Sequence, residues 1–313
     1  MTNRLMTSLV VLVLSTGAAM ADGKINIITS FPDSMTGPIE AAFEAANPQY
    51  DLEVLNKKTS AGVKFIQETS DNNTSDIFWA SAPDAFEVLK NDDLLADVTI
   101  KSEGIPDMIG AYPLNDPDGK YYGFAGAGYG IMWNERYLKA NGLEPAAEWD
   151  DLAKPEYHGH VGMSAPSRSG TTHLTVETLL QGDGWDQGWA KWKRVAGNFS
   201  TVTERSFGVP DGVNTGNFGL GIVIDFFGFS SKASGFPVDF HYPTITSLVP
   251  ANVGVVSNAP NEAGAVAFIE YLLTPEGQEV LLNPAIMRLP INPATYANAP
   301  EGFPNPFEDS TIG

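Results

Sequence analysis

Between residues 24 and 91 the chain alternates three times between a short apolar run and an amphipathic stretch, and this order leaves few folds open. Lys24-Ile-Asn-Ile-Ile-Thr29 is short and β-branched and reads as a buried strand. Residues 35–46 place Ile39, Ala42, Phe43 and Ala46 on one helical face, and Asn47-Pro48 ends that helix. Residues 51–55 and 75–79 repeat the strand; 63–70 and 84–91 repeat the helix. A βαβαβα order predicts a parallel sheet covered on both faces. Ligands of such sheets sit beyond the carboxyl ends of the strands. Those ends are Thr29-Ser30 and Ala80-Ser81, which offer small hydroxyls and open backbone N–H groups.

The pattern resumes after a glycine-dense connector, Gly126-Ala-Gly-Tyr-Gly130, which reads as a crossing between two lobes or as a hairpin turn. Strand 160–163 then leads into Ser164-Ala-Pro-Ser-Arg-Ser-Gly-Thr-Thr-His173 and a helix over 174–181. Such a loop is either a capped helix start or half of an anion clamp. As a clamp, Ser167, Ser169, Thr171 and Thr172 donate hydroxyls, Gly170 admits a close ligand, and Arg168 grips phosphate through two nitrogens. His173 either donates from its ring or caps the helix. A second polar strand-end loop, 204–208, carries Ser206 and Phe207. Strand 219–224 ends at Asp225-Phe226-Phe227. Asp225 accepts from a ligand amine or hydroxyl, or holds backbone N–H groups at a hinge. The three phenylalanines are cleft walls or core. Trp185, Trp189 and Trp192 form a helical stripe that reads as core or lobe packing. Strands return near 239–242, 247–249 and 253–256, a helix spans 263–273, and the Pro- and Asn-rich tail from Asn283 reads as a surface wrap.

Several functions are argued against. The formal charge is −20, with 38 acidic against 18 basic residues, so no nucleic acid is expected as a partner. There is no cysteine, hence no thiolate nucleophile and no Cys-ligated metal. No G-x-S-x-G elbow or H-E-x-x-H helix marks a secreted hydrolase, the alternative from the enzyme class. His158 and His160 form an H-x-H pair that reads as loop rather than metal site. Arg4, the apolar run 5–14 and Ala19-Met-Ala21 form a secretory signal over residues 1–21, with the mature chain expected to start at Asp22. No lipid anchor is expected, since that start is not a cysteine.

Two stretches carry a family resemblance. Val253-Gly-Val-Val-Ser-Asn-Ala-Pro-Asn261, continued by Ala265, Phe268, Ile269 and Leu272-Leu-Thr-Pro-Glu-Gly-Gln-Glu279, resembles a motif of periplasmic solute-binding proteins of ABC importers. Asp118-Gly-Lys-Tyr-Tyr-Gly123 with Met132-Trp-Asn134 resembles the strand pair at their first lobe crossing. The resemblance implies an α/β fold of the type II binding-protein kind: two doubly wound lobes joined by two hinge strands. The lobes are expected over 22–126 with 229–313, and over 127–228. It also implies a monomer without cofactor or catalysis that closes on its ligand and delivers it to a membrane permease. The group resembled holds ferric-ion binders and binders of hexose phosphate, phosphoglycerate and aminoethylphosphonate. Ferric binders carry two adjacent tyrosines where Phe226-Phe227 stand here, and phenylalanine cannot ligate iron. Tyr121-Tyr122 lies in a strand, where neighbours face opposite ways. The expected ligand is therefore a small phosphorylated or phosphonate anion. Its expected contacts are Thr29, Ser30, Ser81, 167–173, Ser206, Phe207 and Asp225, with no metal.

Overall fold

The computed structural model describes residues 23–110, 112–309 and 312; the expected signal segment lies outside them. The first alternation gives β1 (Gly23–Thr29), α1 (Asp33–Ala46), β2 (Tyr50–Asn56), α2 (Thr59–Thr69), β3 (Ile77–Ala80) and α3 (Pro83–Asn91). Two short strands, β4 (Met108–Ile109) and β5 (Tyr112–Pro113), pair with each other. The chain continues through β6 (Tyr122–Ala127), β7 (Tyr129–Asn134), α4 (Glu135–Asn141), β8 (Val161–Ser164), α5 (Gly170–Gly182) and α6 (Trp185–Ala196). Then come β9 (Phe199–Thr203), α7 (Gly208–Thr215), β10 (Leu220–Ile224), α8 (Asp225–Ala233) and β11 (Val238–His241). The last part holds β12 (Val249–Val255), α9 (Glu262–Leu273), α10 (Pro275–Val280) and β13 (Leu289–Pro290).

Two large sheets result. The first runs β13-β6-β12-β3-β1-β2 and the second β11-β7-β10-β8-β9. Neither is wholly parallel, as the first alternation alone suggested. β2, β1 and β3 are parallel, but β12 runs antiparallel between β3 and β6. In the second sheet β9, β8 and β10 are parallel and β7 is antiparallel to β10. The antiparallel strands are those that pass between sheets: β6 hands over to β7, and β11 to β12. Strands buried on both faces explain the unbroken apolar runs. Ile25, Ile27, Ile77 and Trp79 enter one core cluster; Ile28, Phe78 and Ala80 enter the cluster on the other face. The second sheet is likewise packed on both sides.

The expected division at residue 229 does not follow the sheets. β11 pairs with β7, so the chain stays with the second sheet through His241 and recrosses between 241 and 249. The first crossing is at Gly128, and its neighbours 126–127 and 129–130 are strand rather than turn. A side chain at Gly128 would meet the Tyr242 ring at 2.7 Å, so the closeness of the two crossings demands glycine there. The tail is not only a surface wrap. Gln278, fully buried, donates to the Phe124 carbonyl (2.8 Å) and accepts from the Ile291 N–H (2.7 Å), which draws 288–291 into the first lobe. The tryptophan stripe divides: Trp192 is in the second core, while Trp185 is 66% exposed. Among the described residues no helix is long and apolar enough to cross a membrane.

Candidate functional site

A cleft lies between the lobes, at the carboxyl ends of β1, β3, β8 and β9. The first lobe contributes Ser30, Phe31, Lys58, Thr59 and Ser81. The second contributes Arg168, Ser169, Thr171, Arg205, Ser206 and the rings of Phe226 and Phe227. Three cations and several hydroxyls thus face one another in a chain of charge −20. Local donors outweigh distant surface charge here, because exposed charges beyond about 10 Å are screened.

The loop at the second lobe's tip is both cap and wall. α5 starts at Gly170, four residues before the expected start, so Thr171, Thr172 and His173 form its first turn. Ser169 is the N-cap and accepts from the Thr172 N–H at 3.3 Å. The Gly170 N–H goes to Thr59 of the other lobe (3.3 Å), and the Thr171 hydroxyl meets that of Ser81 at 2.8 Å. A side chain at Gly170 would come within 2.7 Å of the Ala82 methyl, so glycine allows the lobes to approach. His173 Nδ1 lies 2.6 Å from Asp84 Oδ2, also across the gap. That bond raises the imidazole pKa, against the opposing effect of burial. These contacts describe a closed form.

The remaining expected residues divide. Ser30, Ser81, Arg168, Ser169, Thr171 and Ser206 line the cleft. Ser167, Gly170 and His173 line the adjoining outer groove beside Trp185 and Trp189. Thr29 turns inward and accepts from the Phe31 N–H at 3.1 Å. Thr172 is held by Ser164. Phe207 lies under the Arg205 guanidinium at 4.8 Å. Asp225 is fully buried at the crossing and takes the hinge role. It accepts from the Gly128 N–H (2.6 Å), the Phe226 N–H (2.7 Å) and the Tyr242 hydroxyl (2.8 Å). Burial pushes its carboxyl up to about 6 despite these bonds. Arg168 is half-exposed and pairs with Glu204, which also holds Lys58 across the gap.

Lys58, Arg205 and Arg288 are not among the contacts expected from sequence. Arg205 donates to Asn56 Oδ1 (2.7 Å) and to the Ser30 carbonyl (3.1 Å), so it bridges the lobes where Arg168 does not. Burial lowers its pKa. Its signal was a guanidinium inside the strand-end loop already singled out. Arg288 sits in the tail and is fully buried, with its rings of contact Phe31 and Phe226 far away in sequence. Nothing local announced it. The histidine pair 158/160 separates, His160 meeting the Tyr137 hydroxyl at 2.7 Å and His158 the Gly197 carbonyl at 3.0 Å. Tyr121 and Tyr122 also part, toward Glu87 and the Val98 carbonyl.

Two α/β lobes, two crossings between them and a polar cleft between strand ends are the architecture of periplasmic binding proteins. The model of the bacterial extracellular solute-binding protein family matches residues 72–307, and the chain belongs to that family. It is 31% identical over 275 residues to the phosphoglycerate transport regulatory protein PgtC of Salmonella typhimurium, covering 86% of this chain and 66% of that one. It is 28% identical over 211 residues to iron uptake protein A1 of Synechocystis, covering 62% and 57%. Among solved structures it is similar to AfuA of Actinobacillus pleuropneumoniae with fructose-6-phosphate bound. That match has a TM-score of 0.80 at 20% identity, over 89% and 87% of the two chains. Apo ferric ion-binding protein A of Pasteurella haemolytica is similar with a TM-score of 0.70 at 16% identity, over 90% and 86%.

Proposed function

We propose that the chain is the substrate-binding component of an ABC importer, exported to the periplasm and without catalysis of its own. It captures a small phosphorylated or phosphonate organic anion between its lobes, as a monomer, and presents it to a membrane permease. The observation that carries the reading is the cleft lining: Lys58, Arg168 and Arg205 with Ser30, Ser81, Ser169, Thr171 and Ser206. Hydroxyls and cations at the N-terminus of a 13-residue helix suit a phosphoryl group. The Thr171 N–H, in the first turn of that helix, has no protein acceptor among the described residues. PgtC is named for phosphoglycerate transport and AfuA was solved with a sugar phosphate, which agrees with this class. Contacts from both lobes make the closed form the one that the ligand selects.

The likeness to iron uptake protein A1 favours a ferric reading. Against it, Phe226 and Phe227 line the cleft, where iron would need oxygen or nitrogen ligands. A thermal-shift series over phosphate esters, phosphonates and ferric citrate separates the two. Phosphate esters or phosphonates are expected to raise the melting temperature, and ferric citrate to leave it unchanged and the protein colourless. Silence from every phosphorus compound, or a coloured iron complex, overturns the proposal.

A further inference from the structure

Arg288 is a charge that the cleft lining described above leaves out. It is fully buried, and neither Nε nor either terminal nitrogen has a hydrogen-bond partner. Its guanidinium carbon lies 4.8 Å from the Phe31 ring and 4.5 Å from the Phe226 ring. Phe31 belongs to the first lobe and Phe226 to the second, and both rings line the cleft. The cation is therefore held between the lobes, directly behind the cleft wall.

The rings give it π contact but no acceptor, and five N–H donors stay unmade. A buried charge without a bonded partner is a costly arrangement. Asp225 acts on it electrostatically, yet both Asp225 oxygens are taken by Gly128, Phe226 and Tyr242. A guanidinium fork with no acceptor suits a planar carboxylate, which takes two parallel N–H bonds side-on.

We propose that Arg288 is a second anion subsite that takes a carboxylate of the ligand, while the phosphoryl group sits at the N-terminus of α5. The ligand class is then a phosphorylated carboxylic acid rather than a neutral sugar phosphate. This rests on the reading of the cleft as a phosphate site. Arg288 contributes affinity only to ligands that carry the second charge.

Calorimetric titration of the mature chain with 3-phosphoglycerate and glycerol 3-phosphate tests it. The two share a phosphate and a three-carbon chain and differ by a carboxylate in place of a hydroxymethyl group. The wild type is expected to bind the acid at least about 10-fold more tightly. Arg288→Met keeps the length of the stem, and the ratio of affinities is expected to fall to near one. Arg288→Lys, which keeps charge but not the fork, is expected to retain only part of the preference. Equal affinity of the wild type for the two esters overturns the subsite, and so does a preference that survives Arg288→Met. If Arg288→Met does not fold, the wild-type ratio and Arg288→Lys decide. If neither ester nor inorganic phosphate binds, the phosphate reading of the cleft itself fails, and the subsite falls with it.

Discussion

The tip of α5 and the crossing at Gly128 both tie the lobes together, but with different kinds of bond. At the tip, short side chains meet across a gap: Thr171 with Ser81, Gly170 with Thr59, His173 with Asp84. Each bond joins groups on different lobes, so each breaks on opening, and water or ligand can replace it. At the crossing, one buried carboxylate organises the strand exchange through Gly128, Phe226 and Tyr242. Those bonds lie in the fully buried surroundings of Asp225 rather than at the mouth of the cleft. The tip should therefore set affinity, and the crossing should set stability.

The largest effect is expected at the crossing. Asp225→Ala strips three buried donors of their acceptor, and an unsatisfied buried donor costs about 1–3 kcal/mol. A loss of roughly 3 kcal/mol or more is expected in urea unfolding. A loss no larger than that of a surface substitution would break the contrast.

Gly170→Ala comes next and reports on the tip. The added methyl meets the Ala82 methyl at 2.7 Å and Thr59 Cγ2 at 3.3 Å, but only when the lobes are closed. Affinity for a phosphorylated ligand is expected to fall about 10–100-fold, as overpacking costs about 1–3 kcal/mol. The urea midpoint of the ligand-free chain should hold, because alanine suits a helix better than glycine. Calorimetry with urea unfolding checks both halves.

Ser169→Ala and Thr171→Ala should then separate from each other. Ser169 caps α5, and losing a cap costs about 1 kcal/mol of stability. Thr171 bonds only across the gap and back into its own helix, so its loss should weaken binding and leave the unfolding midpoint in place. Equal losses of stability in both variants would make Thr171 a structural residue.

The smallest effect is in pH. The His173 pKa is raised by Asp84, so the pair contributes stability that is present below the ordinary 6.5 and is lost as pH rises through the raised value. The imidazole is half-exposed, so this is worth about 0–1 kcal/mol. Asp225 acts in a lower window. Its carboxyl is raised from 3.8 to about 6, so its contribution is present below 3.8 and is lost as pH rises through 6. Melting temperatures against pH for the wild type and His173→Gln should coincide above the raised value and differ below it. Identical curves throughout would remove His173 from the closure.

Much of the fold could be read in advance because burial on two faces leaves a periodic trace. Ile25, Ile27 and Ile28 announced a central strand, and the helix expected over 263–273 is α9, which Asn261 caps. The glycine cluster was harder. Its alternating glycines resemble a turn, but Gly126 and Gly130 belong to strands, and Gly128 and Gly130 are crowded by Tyr242 and Phe240. At the tip, hydroxyl residues imitate a loop while forming a helical turn, so the helix begins earlier than its apolar residues do. Arg288 could not be read at all. Its surroundings come from Phe31, Phe124 and Phe226, and only the folded chain brings them together.

Native mass spectrometry of the chain purified without added ligand tests the central claim most directly. The account predicts one small phosphorus-containing organic anion per chain, released intact on activation. A bound ferric ion, or a ligand without phosphorus, would contradict it.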